Sequence, residues 1–359
     1  MEVTALLRES MKSKKDKGRE GRRVCSTPGP EYARMNYNES LYGMSPRAKE
    51  AFAACIENGK YYGDWFCADL RRSIAGHYGL SIDQVAVGSG SSALIDMIGA
   101  VFFNPGDEVV LCEPTFGALR SVIDDNGAKA VSLPLTADYR FDLDAMAAAV
   151  TEKTKLVIVC NPNNPTGTMR TGKEVEQFIA GLPKQVLVLV DEAYIDFVDD
   201  PEETSMMRLV RDGAENVMVM RTFSKIYGMA GIRIGYITAS ADVIDQLMKT
   251  SSSWNVSAPG QACALAAFED QAYIQDVKQK LTEGRAVLTE GLKKLGCDVV
   301  PSCTNFIYFD THRPAAEISA KLAQHKVLIS TFAMSRVTVS TPENNARFLK
   351  ALEESLKEA

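Results

Sequence analysis

Between Gln84 and Tyr194 short apolar runs alternate with amphipathic ones, and this alternation limits the fold more than any other feature of the chain. QVAVGSG leads into SALIDMIGAVFF, DEVVLCEP into TFGALRSVIDDNG and KAVSLPL, and KLVIVCNP, EVEQFIAGL and QVLVLVDEAY continue the series. Short apolar runs bounded by turn signals read as buried strands, and the segments between them carry helical periodicity. Strand and helix in alternation specify the α/β class: a three-layer, doubly wound, mainly parallel sheet with helices on both faces. Right-handed crossovers then gather the carboxyl ends of the strands, and a ligand site with them, along one sheet edge.

After Trp254 the pattern changes to long helices (SAPGQACALAAFED, IQDVKQKLTEGRAVLTEGLKKLG), three short strands (NFIYFD, KVLIS, SRVTVST) and a last helix, ENNARFLKALEESLKE. We therefore expect a basic N-terminal tail or arm over 1–34, a large domain over 35–254 whose first residues pack on the small domain, and a smaller α+β domain over 255–359. With 359 residues, 46% of them hydrophobic, the chain has material for a large core. Its net charge of −6 argues against nucleic acid or an anionic membrane as main partner. No apolar run approaches the roughly 20 residues that span a bilayer, and the N-terminus lacks a signal-peptide pattern, so a cytoplasmic location is expected. Eight cysteines without a CxxC pair and three distant histidines give no reason to expect disulfides or a metal site.

Chemistry-bearing residues concentrate at the strand ends. Gly88–Ala93, GSGSSA, opens a helix after a strand. It fits a dinucleotide fingerprint, with Glu113 as the accompanying acid, and equally a cradle for one phosphate built from Gly90, Ser91, Ser92 and a helix N-terminus. NPNNPTG presents Asn164 after another strand, and DEAY ends a third with Asp191, which could be an N-cap, a metal ligand or the partner of a cationic ring nitrogen. RTFSKIYGMAGIRIG places Lys225 among Phe223, Ile226 and Met229, with Arg233 eight positions later. Apolar neighbours strip hydration from an ammonium, lower its pKa and make a nucleophilic amine accessible, as a Schiff-base lysine requires. A nicotinamide needs neither that lysine nor a carboxylate under its ring, whereas a pyridine kept protonated needs both. The aromatic cluster YYGDWF at 61–66 reads as core, interface or cofactor contact.

NPNNPTG, DEAY and RTFSKxxxxAGxRxG, in this order and spacing, resemble the fold-type I pyridoxal-phosphate aminotransferases, most closely the histidinol-phosphate aminotransferase branch, from about Met35 to the C-terminus. The resemblance implies pyridoxal 5′-phosphate held by Lys225 through a Schiff base, with Lys225 also moving the substrate proton. It implies Asp191 on the pyridinium nitrogen, Asn164 and Tyr194 donating to the ring 3′-oxygen, and Phe116 on the ring face. Gly90, Ser91, Ser92, Thr222, Ser224 and Arg233 would hold the phosphate, with Tyr62 reaching it from the other subunit of a homodimer. Arg336, together with Asn164, would hold the substrate carboxylate or an equivalent anion.

The chain departs from that pattern at Ser92-Ala93, where an acidic pair is usual, and at Gly63, where proline usually follows the tyrosine. It also has Ser330 where histidinol-phosphate enzymes usually carry an arginine, and a short loop before Arg336. The expectation is an aminotransferase working between an amino acid, apolar or aromatic in view of Trp65 and Phe66, and a 2-oxo acid. Its rivals are a decarboxylase of the threonine-phosphate type or a racemase on the same fold and, more distantly, an NAD-dependent dehydrogenase resting on GSGSSA and Glu113.

Overall fold

The computed structural model describes residues 7–12 and 28–357; most of the basic run of the tail lies outside the described residues. Thirteen strands are present among these: β1 Ala33–Arg34, β2 Val85–Gly88, β3 Glu108–Glu113, β4 Lys129–Pro134, β5 Thr154–Cys160, β6 Leu187–Asp191, β7 Val217–Thr222, β8 Gly235–Thr238, β9 Asp298–Val299, β10 Phe306–Asp310, β11 Val327–Leu328, β12 Ser330–Thr331 and β13 Ser335–Thr338. Seven form the large sheet in the order β2-β8-β7-β6-β5-β3-β4, parallel throughout except β8, which runs against both neighbours. The mainly parallel α/β fold is thus as expected. Strands covered on both faces by helices have no solvent side, which is why β5, β6 and β7 are nearly continuous apolar runs and almost wholly buried. β4, at the edge, is largely open to solvent.

The antiparallel β8 does not appear in the strand pattern read from sequence. GYIT is only four residues long and follows directly on a turn-rich loop, so periodicity has too little length to register. Its place has a consequence: Gly235 sits opposite both Gly88 and Thr222, so the start of β8 joins the carboxyl ends of its neighbours. From β3 the chain steps outward to β4, then returns to β5 and proceeds through β6 and β7 in the other direction. Such a reversal leaves a crevice beyond the carboxyl ends of β3 and β5.

Helices begin where side chains can satisfy their free N–H groups. Ser45 accepts from the Ala48 N–H ahead of Pro46–Ala54, and Thr171 forms a reciprocal capping box with Glu174 ahead of Gly172–Gly181. The helix Gly90–Phe102 differs: Ser89 makes no capping bond, so its first N–H groups remain available.

KVLIS, read as one strand, divides between two sheets. β11 pairs in parallel with β1, while β12 joins the sheet β12-β13-β10-β9. The break lies at Ile329, and it ties the residues after Tyr32 to the C-terminal part of the chain. The helix Ala315–Gln324 was not anticipated either. All seven described cysteines are free, and no helix among the described residues is long and apolar enough to cross a membrane.

Candidate active site

A cavity of about 440 Å³ opens at the carboxyl edge of the large sheet, in the crevice between β3 and β5. Of the residues singled out in the sequence, Ser91, Ser92, Phe116, Asn164, Asp191 and Tyr194 line it, as do Thr222, Ser224, Lys225, Arg233 and Arg336. Gly90 lies immediately behind. Glu113, Tyr62, Trp65 and Phe66 do not line it: Tyr62 is 80% exposed and stacks on Trp254 with ring centroids 4.5 Å apart, and Trp65 and Phe66 are exposed beside them rather than at the cavity wall. Two larger hollows, of about 590 and 680 Å³, contain no lysine.

Asp191 closes β6 beside Cys160 of β5 and is 3% exposed. Burial pushes its carboxyl up to about 6, against the pull of the Ala193 N–H, which donates to Oδ1 at 3.1 Å. A carboxylate in this position becomes fully ionised once a cation faces it. The neighbouring Glu192 is committed elsewhere: its Oε2 accepts from Arg221 Nε at 3.0 Å, Arg221 Nη2 at 2.8 Å and Ser205 Oγ at 2.7 Å. This buried pair joins the end of β6 to the end of β7, and so fixes Asp191 relative to Thr222.

Phe223, Ile226 and Met229 are buried and pin the loop from β7 to β8. Lys225 is thereby held half-buried with Nζ 3.1 Å from the Tyr37 carbonyl and 5.6 Å from the centre of the Tyr194 ring. Burial, aided by the charges of Arg336 and Arg233, lowers its pKa to about 8. About a tenth of the amine is therefore neutral at pH 7, far more than in an unperturbed lysine.

The anion end is shaped by two glycines. Gly90 has φ +81°, and a Cβ on it would lie 2.3 Å from Arg233 Nη2. A Cβ on Gly235 would lie 2.6 Å from the Ser91 N–H nitrogen. With both bare, the uncapped helix N-terminus, the guanidinium of Arg233 and the hydroxyls of Ser91, Ser92, Thr222 and Ser224 surround one space. Arg233 itself takes φ 63°, and its Nη1 donates to the Ala230 carbonyl at 3.0 Å, which turns its other amine toward Gly90. A helix N-terminus with an arginine fork suits a single phosphate.

At the other end Arg336, on β13, is 6% exposed. Its guanidinium donates to Asn164 Oδ1, to the Asn36 carbonyl (2.7 Å) and to Ser330 Oγ (3.0 Å), lies over the rings of Phe306 and Phe332, and leaves Nε buried without a partner. Burial lowers its pKa. An unspent donor on a buried cation is a place for an anion. Ser330 hence sits against Arg336 and adds no charge.

Tyr37, Asn38 and Glu39 also line the cavity and were absent from the residues picked out by sequence. Asn38 Nδ2 donates to the Tyr194 hydroxyl at 2.9 Å. Nothing local marks Asn38 as functional, since its side-chain partners lie more than 150 residues away.

A carboxylate for a ring nitrogen, a buried lysine of lowered pKa and a glycine-bared phosphate cradle in one cavity fit a phosphorylated pyridine aldehyde. Comparisons with known proteins agree. Residues 30–352 match the family model "Aminotransferase class I and II". A histidinol-phosphate aminotransferase of Moorella thermoacetica is 36% identical over 325 residues, 89% of this chain and 84% of that protein. An aromatic amino acid aminotransferase of Nocardia farcinica is 37% identical over 335 residues, 90% of this chain and 92% of its own. The crystal structure of a histidinol-phosphate aminotransferase from Sinorhizobium meliloti in complex with pyridoxal-5′-phosphate superimposes with a TM-score of 0.86 at 27% identity, over 96% of this chain and 99% of that one. The dinucleotide reading of GSGSSA gives way accordingly. The chain belongs to the class I and II aminotransferases: it is a pyridoxal-phosphate-dependent enzyme of fold type I, near the histidinol-phosphate aminotransferase branch.

Proposed function

We propose that this enzyme moves the amino group of an amino acid with an apolar or aromatic side chain onto a 2-oxo acid, in a ping-pong cycle. The substrate part rests on the outer end of the cavity, where one buried arginine, Arg336, lies beside Phe332 and Tyr37, and Ser330 stands in place of a second cation. A substrate carboxylate uses one arginine, and an apolar side chain uses the aromatic wall. The name of the Nocardia relative supports this reading. The name of the Moorella relative favours a second one, histidinol phosphate as amino donor.

Pyridoxal phosphate, when bound, supplies an aldehyde for the amino group and a cationic ring that draws the electron pair from Cα. Asp191 holds the proton on the ring nitrogen. Asn164 and Tyr194 would donate to the ring 3′-oxygen, and Phe116 would cover one face. Gly90, Ser91, Ser92, Thr222, Ser224 and Arg233 hold the phosphate. Lys225 provides the attachment point and, released from it, takes the proton from Cα and returns it. Arg336 orients the carboxylate, with Asn164 bracing its guanidinium.

The exposed aromatics Tyr61, Tyr62, Trp65, Phe66 and Trp254 support a homodimer in which Tyr62 reaches the partner's phosphate site. The free cysteines support a cytoplasmic location.

The test is a half-reaction. Holoenzyme mixed with phenylalanine or tyrosine should lose its visible cofactor band and release the 2-oxo acid, with efficiency about tenfold or more above that for histidinol phosphate. Preference for histidinol phosphate would establish the second reading, and carbon dioxide release without the 2-oxo acid would refute transamination.

A further inference from the structure

Asn38 is buried, 1% exposed, and takes the left-handed conformation with φ 56°, which asparagine tolerates better than most residues. Its backbone is tied at both polar groups. The N–H donates to Thr338 Oγ1 at 3.0 Å, and the carbonyl accepts from Asn305 Nδ2 at 3.1 Å. The Thr338 hydroxyl donates back to Asn38 Oδ1 at 3.2 Å. Thr338 is fully buried on β13, two residues from Arg336, and its proton is spent on that oxygen.

This small ring of bonds dictates which way the Asn38 amide faces. Turning it over would set the NH₂ group against the Thr338 proton and strand that proton in the interior. With Oδ1 engaged by Thr338, Nδ2 faces the Tyr194 hydroxyl at 2.9 Å and can only donate to it. The tyrosine oxygen therefore accepts on that side. Its single proton has to point elsewhere, and the cavity is where Tyr194 opens.

We infer that Asn38 is a positioning residue which makes Tyr194 a hydrogen-bond donor toward the cofactor's ring oxygen. The inference rests on the role proposed above for Tyr194. It also links the strand that carries Arg336 to the ring through Thr338 and Asn38, so the small sheet and the cofactor share one hydrogen-bonded path.

The decisive measurement is the pH at which the visible band of the holoenzyme titrates, since a donor to the ring oxygen favours its anion. Asn38→Asp keeps the shape but offers only acceptors, so it captures the Tyr194 proton. It should raise the titration midpoint by about one to two pH units, as Tyr194→Phe should. Asn38→Gly, unstrained at this φ, removes the donor without recruiting the proton and should raise it less. In the Tyr194→Phe background neither substitution should move the midpoint further. A shift from Asn38→Asp that persists in that background is a charge effect and overturns the inference, as does a midpoint unmoved by Asn38→Asp while Tyr194→Phe moves it. A midpoint unmoved by Tyr194→Phe itself removes the proposed role of Tyr194, and the inference with it. If Asn38→Asp does not fold, Asn38→Gly alone decides by the presence of its shift in the parent and its absence in the Tyr194→Phe background.

Discussion

At the inner end of the cavity the functional groups come from neighbouring strand ends of one sheet, whereas at the outer end they come from three segments remote in the chain. Asp191 and Thr222 end the paired strands β6 and β7, and Gly235 lies opposite Thr222. Backbone pairing and a buried ion pair hold them, and two glycines leave no room for a Cβ. The outer end joins residues 36–38, Asn164 and the stretch from Ser330 to Arg336 by side-chain hydrogen bonds. The cofactor end is thus fixed by the fold itself. The substrate end depends on a few polar contacts, so specificity can change at Arg336 and Phe332 while the phosphate cradle and Asp191 keep their places.

The largest effect that would test this division is at Lys225. Lys225→Ala should abolish borohydride-trappable attachment of the cofactor and lower turnover by about 10³-fold or more, read by mass and by steady-state rate. Attachment of pyridoxal phosphate to the cofactor-free protein should also depend steeply on pH. The amine attacks only when neutral, and with its pKa lowered to about 8 the rate should level off above that pH. Below it the rate should fall by up to about tenfold per unit as the amine takes its proton. A stopped-flow rate that still climbs about tenfold per unit through pH 9, with no plateau, would show an amine whose pKa its surroundings do not lower.

Arg336→Lys sharpens the comparison from the other side. It should cost about 10- to 100-fold in kcat/KM for the amino acid, through lost bidentate pairing, while the dissociation constant of the cofactor stays as it was. Weaker cofactor binding in that variant would mean that the two ends are not separable. The smallest effect is expected at Phe332, which is 42% exposed in the three-residue loop between β12 and β13. Phe332→Ala should lower kcat/KM for an aromatic donor several-fold and leave alanine nearly unaffected.

The same contrast explains what could be read in advance. Asp191, Lys225, Ser91 and Asn164 stand at the ends of apolar runs whose period is visible in the chain, so strand alternation alone places them on one edge. Asn38 carries no such mark. It becomes functional because β1 pairs with β11, and because Asn305 and Thr338, more than 260 residues later, surround it. KVLIS shows the limit from the opposite direction: one apolar run serves two sheets, since its pairing partners, not its own pattern, decide where it belongs.

Ser330 stands out in the sequence as a departure, yet its hydroxyl's contact with Arg336 at the cavity wall comes only from the pairing of β12 with β13. Tyr62 is exposed and stacked on Trp254, a placement that its position in YYGDWF does not disclose.

By itself the sequence determined the α/β class and the residues that end each strand, because periodicity and turn chemistry are local properties of the chain, and its motifs carried the resemblance that implies the cofactor. Tertiary structure alone decided the lowered pKa of Lys225, the raised one of Asp191 and the bond from Asn38 to the Tyr194 hydroxyl. Desolvation and hydrogen-bond direction depend on every group that packs around a site, and most of those groups are distant in the chain.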